Sequence, residues 1–319
     1  MIRTIAATAL ATLALCASSF AQDYPSKPVT IVVGFGKGGP DTNARLLAAQ
    51  LNMQTGKTFV VENKPGAAGI IGATFVAKAP ADGYTVLMTS ASIGSLPAMH
   101  KELAFDLMKD FEPISMVSAS EASFLVVNPD FPPKSLKELL DYTKDHEVSY
   151  SSTGIGTGSH LRMALFTQAN NIKMTHIPFK SPGEALTSLM NGETQVQFVT
   201  ASQGVPLIRE GKVRPLAYDY DTRPEFLPDV PTIVEAGAAP TGLDSGWNGI
   251  LVPAGTPPEA KQWLETEIRK AVQNPDLQEK LKNIGLIPVG SSSEEFGVAL
   301  ARAVESMGAA VQAAGIEPK

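Results

Sequence analysis

Two glycine-rich loops contain the residues whose types and spacing could do the most chemistry. The first is Gly34-Phe35-Gly36-Lys37-Gly38-Gly39, and the second is Ser152-Thr153-Gly154-Ile155-Gly156-Thr157-Gly158-Ser159. Each follows a predicted strand and opens a predicted helix. Glycines let the backbone approach a bound group closely, and the first turn of a helix offers unpaired N–H groups and a positive dipole end. Both loops are therefore suited to binding an anionic group.

The first loop admits three interpretations. It matches the pattern G-x-G-x-x-G, and Glu62 lies at the end of the next predicted strand, where a ribose-binding acid is expected. These features fit a dinucleotide-dependent oxidoreductase that uses the Gly34–Gly39 loop. The same physics binds a carboxylate, and the loop could also be a purely structural turn. We favour the carboxylate and expect no cofactor, because the N-terminus predicts export and nicotinamide cofactors belong to the cytoplasm.

Charged and aromatic residues lie beside both loops. Asp41 fits the N-cap of a helix, where its side chain would accept backbone N–H bonds. If the Asp41 carboxylate faced the pocket instead, it would repel an acid ligand. Lys37 is either solvated or the point charge that meets a distal carboxylate of the ligand. Phe35 and Phe179 are candidates for an apolar pocket wall.

Hydroxyl groups follow the third predicted strand, at Thr89, Ser90 and Ser92. In open α/β sheets, ligands bind at the carboxyl ends of the strands, so we expect these hydroxyls beside the first loop. A charge-assisted hydrogen bond contributes about 1.5–3 kcal/mol net, and a helix end about 0.3–1 kcal/mol. Several such interactions would suffice for micromolar binding, near about −8 kcal/mol.

Residues for covalent or metal chemistry are not grouped in the sequence. The serine hydrolase elbow G-x-S-x-G does not occur. His160 adjoins Ser159 only in sequence, and we expect it on a helix face or in a pocket wall. His100, His146 and His176 are scattered without a His-x-x-x-His pattern, so neither a metal site nor an enzyme is expected.

The N-terminus has the three-part pattern of a secretory signal peptide. Arg3 supplies the positive start, Ile5–Cys16 is apolar, and Ala21 ends a small-residue cleavage site. We predict cleavage after Ala21, which leaves residues 1–21 as the signal peptide and a periplasmic mature chain. Lipidation at Cys16 is the alternative, although Leu15 stands where a small residue is required.

Composition limits the partners. The sole cysteine, Cys16, leaves with the signal, so no disulfide or thiol site is expected. There are 26 Lys and Arg residues against 32 Asp and Glu residues, a net charge of −6, without a block of like charge. No nucleic-acid partner is expected, because that would require a basic face. An anionic ligand must be held by local dipoles, since the overall field is mildly repulsive.

The predicted elements form two similar halves in which strands alternate with helices. This pattern predicts an α/β protein with parallel-rich sheets covered by helices on both faces. Frequent prolines over residues 223–240 predict a crossing between two lobes. We therefore expect a hinged clamshell with two crossings, in which residues 22–122 and 220–319 form lobe I and residues 123–219 form lobe II.

An ordered series of short motifs runs over nearly the whole mature chain. The motifs are Tyr24–Val29, Gly38-Gly39 with Asp41 and Ala44-Arg45, Val61–Ala67 with Gly69 and Gly72, Ala77–Thr85, Leu136–Leu139, Tyr150–Gly156 with His160-Leu161, Ile177–Lys180, Gly211–Ala217, Leu227–Thr232 with Glu235–Gly237, and Pro253–Pro257. Each motif is modestly specific, but their number, order and spacing are very specific. Together they resemble the substrate-binding receptors of tripartite tricarboxylate transporters, the Bug-type periplasmic receptors.

The resemblance implies a type II-like Venus-flytrap receptor that binds a carboxylic acid without chemistry. Such a receptor would act as a monomer and serve inner-membrane transporter subunits. In this family one ligand carboxylate is held deep in the cleft by main-chain and hydroxyl groups, partly through ordered waters. On this sequence the resemblance assigns that role to Gly36, Gly38, Gly39, Ser90, Ser152, Thr153 and Gly156.

Three departures from the family pattern leave the identity of the acid open, whether a di- or tricarboxylate or an aromatic acid. Lys37 stands where proline or a small residue is usual, and Arg162 replaces a usually small residue. Gln195 and Val199-Thr200 occupy a strand that often carries aspartate. The full set of candidate ligand-binding residues is Phe35, Gly36, Lys37, Gly38, Gly39, Asp41, Thr89, Ser90, Ser92, Ser152, Thr153, Gly156, Thr157, Ser159, His160, Phe179 and Thr200.

Overall fold

The computed structural model describes residues 24–36, 39–120, 122–243, 246–284 and 286–318. The predicted signal peptide lies outside these ranges, as do Lys37 and Gly38 of the first loop. Within the described ranges, no helix combines the length and the apolar character needed to cross a membrane.

Strands and helices alternate along most of the described chain. The strands are β1 (Val29–Val33), β2 (Phe59–Asn63), β3 (Thr85–Ser90), β4 (Phe111–Ser120), β5 (Ser123–Val127), β6 (Ser149–Ser152), β7 (Thr175–Pro178), β8 (Val196–Thr200), β9 (Arg214–Asp219), β10 (Trp247–Pro253) and β11 (Leu286–Pro288). The α-helices are α1 (Gly39–Thr55), α2 (Ile70–Ala77), α3 (Leu96–Met99), α4 (Leu136–Tyr142), α5 (Gly158–Ala169), α6 (Pro182–Met190), α7 (Ala201–Arg209), α8 (Pro258–Gln273), α9 (Pro275–Asn283) and α10 (Ser293–Ala313). Short 3₁₀ helices at Ala67–Gly69 and Ala91–Ser95 precede α2 and α3.

The strands form two mixed sheets. The first has the order β11-β4-β10-β3-β1-β2, and the second has the order β7-β6-β8-β5-β9. β1 is parallel to β2 and β3, and β6 is parallel to β7 and β8. β10 is antiparallel to β3 and β4, and β5 is antiparallel to β8 and β9. The predicted two-lobe α/β architecture is confirmed, but each sheet is only partly parallel, because the strand that follows each crossing runs against its neighbours.

Apolar side chains cover both faces of each sheet. Ile31 of β1 packs in the cluster formed with α1 and α8, whereas the next residue, Val32, packs in the cluster formed with α2 and α10. In the second sheet, Phe124 and Leu125 divide in the same way between two clusters. Because side chains alternate along a strand, this two-sided burial accounts for the nearly continuous apolar runs in the sequence.

Sequence patterns did not predict β4 and β11. β4 contains Pro113, which lacks an N–H and is rare within inner strands. The structure accommodates Pro113 at a register shift in the pairing with β10. β11 pairs only with Ser118–Ser120, so Pro113 lies where β4 is the edge of the sheet. β11 itself is too short to show a periodic pattern.

The proline-rich stretch packs against the second sheet before the chain returns to the first. Val230 joins the core on one face of the second sheet, Ile233 joins the core on the other, and Thr232 forms a parallel bridge with Tyr218. Pairing with the first sheet resumes only at Trp247. From the sequence, all residues from 220 onwards were expected to belong to lobe I. Because this stretch packs against the second sheet, we propose that the boundary between the lobes lies nearer to Trp247.

A buried polar network lies where the two crossings meet. Ser123, at the start of β5, pairs with Asp219 at the end of β9. The guanidinium of Arg162 on α5 donates to the Asp219 carboxylate and, at 3.3 Å, to the Leu243 carbonyl. Thr241 Oγ1 donates to the same carboxylate at 2.7 Å. The network therefore ties α5 and the returning chain to the junction between the sheets.

Candidate ligand-binding site

Polar residues replace the apolar core at the carboxyl edge of the first sheet. Ser90 pairs with Asn248, and Asn248 pairs with Ser118, so the three form one row across β3, β10 and β4. Directly paired residues share a face of the sheet, and Met88, two residues before Ser90, packs in the cluster that includes α1. Ser118 and Asn248 are buried, whereas Ser90 is partly exposed. We call these three residues the polar row; it opens towards the surface at Ser90.

Of the predicted hydroxyls after β3, the structure brings two together. Ser90 Oγ lies 2.8 Å from Ser92 Oγ. Thr89 is buried and pairs with Gly249. A side chain at Gly249 would collide with Phe296 of α10, so Thr89 faces α10 on the opposite side of the sheet. Thr89 therefore does not join the other hydroxyls.

Asp41 lies in the first turn of α1 rather than at its N-cap. Arg45 binds one carboxylate oxygen at 2.9 Å, and Asn63 Nδ2 donates to the carboxylate at 2.8 Å. Asn63 also donates to the Phe35 carbonyl at 3.0 Å. The buried Asp41 carboxylate is thus bound by the protein's own groups and helps to position the first loop.

Glycines let α2 pack directly against the first loop. A Cβ at Gly72 would lie 2.6 Å from the Cα of Gly34, and a Cβ at Gly69 would lie 3.2 Å from the ring of Phe35. Gly69 also has a φ of 98°, which disfavours a side chain. Gly36 is exposed, and α1 begins at Gly39. The position of the loop therefore depends on close backbone contact.

Substituting Gly72 by alanine is expected to lower the free energy of unfolding by about 1–3 kcal/mol, because the new methyl group must displace the Gly34 backbone. Gly308→Ala is the matched control, since Gly308 also lies within a helix but has nothing within 4 Å of its would-be Cβ. The control should stabilise the protein by about 0.5–1 kcal/mol. Urea unfolding measures both; a Gly72→Ala variant as stable as the control would refute the close packing.

The second loop satisfies much of its own hydrogen-bonding capacity. The N–H of Thr153 donates to Ser159 Oγ at 3.2 Å, and the N–H of Gly156 donates to His160 Nδ1 at 3.0 Å. The family resemblance assigned Thr153 and Gly156 to ligand binding. In the structure they hold the loop in shape, and His160 is a buried part of the loop's support.

His160 belongs to a stack of three aromatic rings. Its ring centroid lies 3.9 Å from that of His176, which lies 4.9 Å from that of Tyr150. His176 Nε2 also lies 2.6 Å from Ser152 Oγ, at the start of the loop. Burial, and secondarily the neighbouring His176, lower the pKa of His160 from 6.5 to about 4. The imidazole is therefore neutral at neutral pH and can accept the Gly156 hydrogen bond.

This pKa predicts a loss of stability in mild acid. Above pH 6.5 the ring is neutral in both states; as the pH falls from 6.5 towards 4, the unfolded chain gains a proton that the folded chain resists. The contribution from His160 should fall by about 1–3 kcal/mol over this range, because each unit by which its pKa is lowered corresponds to about 1.4 kcal/mol at most. Urea unfolding across this range measures the loss. His160→Gln should flatten the profile, whereas the exposed His146→Gln should not; equal profiles would contradict the assignment.

The N-terminus of α5 has no side-chain cap. Thr157 occupies the N-cap position, but its Oγ1 donates to the Gly154 carbonyl at 2.7 Å and makes no cap hydrogen bond. The first N–H groups of a helix have no partner within the helix. The amides from Gly158 to His160 and the positive end of the helix dipole therefore form a site suited to an anion.

The open end of α5 lies against the first lobe. A Cβ at Gly156 would come within 2.3 Å of the sulfur of Met99 on α3, so the two segments are in contact. Leu161 packs in the same core cluster as Leu96 and Met307. Since α3 directly follows the segment that carries Ser92, the second loop and the hydroxyls after β3 lie at one junction.

Phe179 and Thr200 lie at the carboxyl ends of strands in the second sheet. The Phe179 N–H donates to the Ser152 carbonyl at 2.9 Å, which places Phe179 beside the second loop. Thr200 is exposed at the N-cap of α7, and its Oγ1 lies 3.3 Å from Gln203 Oε1.

Sequence reasoning missed several residues at this junction, among them Asn43, Ser118, Asn248 and Met99. Asn43 offered a signal, because it lies four residues before Leu47 on the apolar stripe of α1. Ser118 and Asn248 offered no such signal in the sequence, because only the register of the strands brings them together. Among the described residues, no group of three or more His, Cys, Asp or Glu side chains could hold a metal ion.

Two α/β lobes that meet at an open helix end and at hydroxyl-bearing loops define the class of solute-binding receptors. Within that class, the chain belongs to the tripartite tricarboxylate transporter family receptors, whose family model matches residues 43–316. The resemblance recognised in the sequence is thus confirmed. The dinucleotide alternative has no support from these relatives, and Glu62 is exposed and paired with Lys64 at 2.7 Å.

The similarity to individual relatives extends over the whole fold. The chain is 32% identical to a UPF0065 protein of Bordetella pertussis, covering 100% of this chain and 98% of that protein. It superposes on the periplasmic binding protein BugD with a TM-score of 0.79, at 32% identity and covering 93% and 100% of the two chains. An R. palustris protein solved with adipate gives a TM-score of 0.82, at 31% identity and with the same coverage.

Proposed function

We propose that this receptor captures a small carboxylate at the junction of its lobes and delivers it, unchanged, to a membrane transporter. The observation that carries the proposal is the uncapped N-terminus of α5, whose first-turn amides lie beside the first lobe. One ligand carboxylate would accept hydrogen bonds from the Gly158–His160 amides. The adipate bound by a relative supports an acid of this class.

The hydroxyls of Ser90 and Ser92 would contact the ligand from the first lobe, and Phe179 would contribute to the wall of the second. Lys37 would meet a distal carboxylate. Signal cleavage after Ala21, a periplasmic location, inner-membrane transporter subunits as partners and a monomeric state complete the proposal. Thr89 and Asp41 are not included in the site, because Thr89 faces α10 and the carboxylate of Asp41 is bound by Arg45 and Asn63.

A thermal-shift screen of mono-, di- and tricarboxylates and aromatic acids tests the proposal. A carboxylic acid that binds, added at one hundred times its dissociation constant, should stabilise the folded protein by about 2.7 kcal/mol. Calorimetry should then give a dissociation constant for each acid that raises the melting temperature, and NAD should give no heat. A screen in which no acid stabilises the protein would refute the proposal.

A further inference from the structure

Asn43 places an unsatisfied hydrogen-bond acceptor inside the first lobe. Its side chain is completely buried on α1. Asn43 Nδ2 donates to Ser118 Oγ at 2.7 Å, which joins the amide to the polar row. Asn43 Oδ1 is the buried side-chain oxygen that accepts no hydrogen bond from the described residues. Because a buried polar atom without a partner destabilises the folded state, this position calls for a donor that the described chain does not supply.

The polar row connects Asn43 to the junction where we place the ligand. Ser118 lies beneath Asn43, Asn248 follows in register, and Ser90 opens the row at the carboxyl edge of the sheet. Ser90 in turn bonds with Ser92, in the segment that leads to Met99 and the second loop. The polar row therefore joins Asn43, through protein side chains, to the hydroxyls at the junction where we place the ligand.

The four residues of this path, Asn43, Ser118, Asn248 and Ser90, carry no formal charge. A carboxylate would gain more from the helix end of α5, where amides and the dipole favour an anion. The acceptor Asn43 Oδ1 would instead repel a carboxylate oxygen. What suits it is a neutral donor such as a hydroxyl group.

We infer that Asn43 and the polar row bind a hydroxyl group of the ligand, so that the receptor prefers a hydroxy acid to the same acid without its hydroxyl. This inference rests on the proposed function and specifies the ligand for that site. The ligand hydroxyl donates its proton to Asn43 Oδ1, and its carboxylate occupies the N-terminus of α5. Asn43 is thereby a specificity-determining residue.

Matched pairs of acids that differ by one hydroxyl test the inference. Calorimetry with propionate and lactate, and with succinate and malate, should give about tenfold or tighter binding for the hydroxy acid of whichever pair binds. A site built to hydrogen-bond a hydroxyl rejects the analogue that lacks it. In Asn43→Leu the ratio between the two dissociation constants of a pair should fall to about one, because leucine has a similar shape and accepts no hydrogen bond.

Two further variants separate specificity from folding. Asn43→Leu combined with Ser118→Ala removes both partners, which can be nearly neutral for stability, and should abolish the preference if the single variant fails to fold. Gln50→Leu on the same helix replaces a buried amide that bonds Gln54 at 3.4 Å, and should keep the preference. Equal binding of both acids of a pair by the unmodified protein would overturn this inference and leave the proposed function intact. Absence of binding by every carboxylate would overturn both.

Discussion

Replacing Arg162 by methionine is expected to lower the free energy of unfolding by about 3–5 kcal/mol, because the change leaves the buried Asp219 carboxylate without its charged partner. The side chains of Arg162 and Asp219 are only 8% and 7% exposed. Thr241 would still donate to the carboxylate, but one neutral hydrogen bond does not replace a charge. The loss should also loosen α5 from the returning chain, since the same guanidinium reaches the Leu243 carbonyl.

Chemical unfolding of three variants measures this contribution. The double variant Arg162→Met with Asp219→Leu should recover much of the loss, because apolar replacement of a buried ion pair is often neutral. Arg223→Met is the matched control: Arg223 pairs with Glu235 at 2.8 Å, but both side chains are 46% exposed. An exposed pair contributes about 0–1 kcal/mol. An Arg162→Met variant no less stable than this control would show that the buried network does not tie the lobes.

Substituting Gly158 by aspartate is expected to weaken carboxylate binding by more than about a hundredfold. Gly158 is the first residue of α5, and its would-be Cβ has nothing within 4 Å. The new carboxylate would sit beside the proposed anion site, where two like charges about 4–5 Å apart repel by roughly 3–4 kcal/mol at an effective dielectric constant of 20. Folding should not suffer, because an acid in the first turn of a helix is stabilising.

Gly158→Asn has nearly the same shape without the charge, so it isolates the electrostatic part. We expect the asparagine variant to bind within about tenfold of the unmodified protein, a difference of about 1.4 kcal/mol, because it adds no charge beside the anion. Calorimetry with an acid identified in the screen gives the affinities, and thermal unfolding without ligand checks the fold. Equal affinities in the two variants would place the anion elsewhere.

Local signals in the sequence account for several of the strands and helix starts. The apolar runs Val29–Val33 and Ser123–Val127 both form strands. Ser135 accepts a hydrogen bond from the N–H of Glu138 at 3.2 Å, as the capping pattern predicts. The Glu138 carboxylate, however, accepts a hydrogen bond from the N–H of Lys134. A complete capping box would use the N–H of the next residue, Ser135. Caps and apolar runs are readable because their interactions span only a few residues.

The candidate site was predictable only in part. The sequence pointed to the two loops and to the hydroxyls of Ser90 and Ser92, because glycine and serine after a strand have a local meaning. The sequence could not tell that the Gly156 amide would be used by His160, since that depends on how the helix turns back on its loop. The sequence also could not tell which of Thr89 and Ser90 faces the site. The two residues lie on opposite faces of β3, and the packing of the helices decides which face is which.

By itself, the sequence determined the family, the α/β class and the existence of two loops that open helices, because these follow from local patterns and from the order of motifs. Only the tertiary structure decided that, among the described residues, the buried side-chain oxygen Asn43 Oδ1 lacks a hydrogen-bond partner. Asn43 and Ser118 are 75 residues apart, and their 2.7 Å hydrogen bond exists because α1 and β4 pack in the same core cluster. Such contacts arise from strand register and helix packing, which depend on the whole core rather than on neighbouring residues.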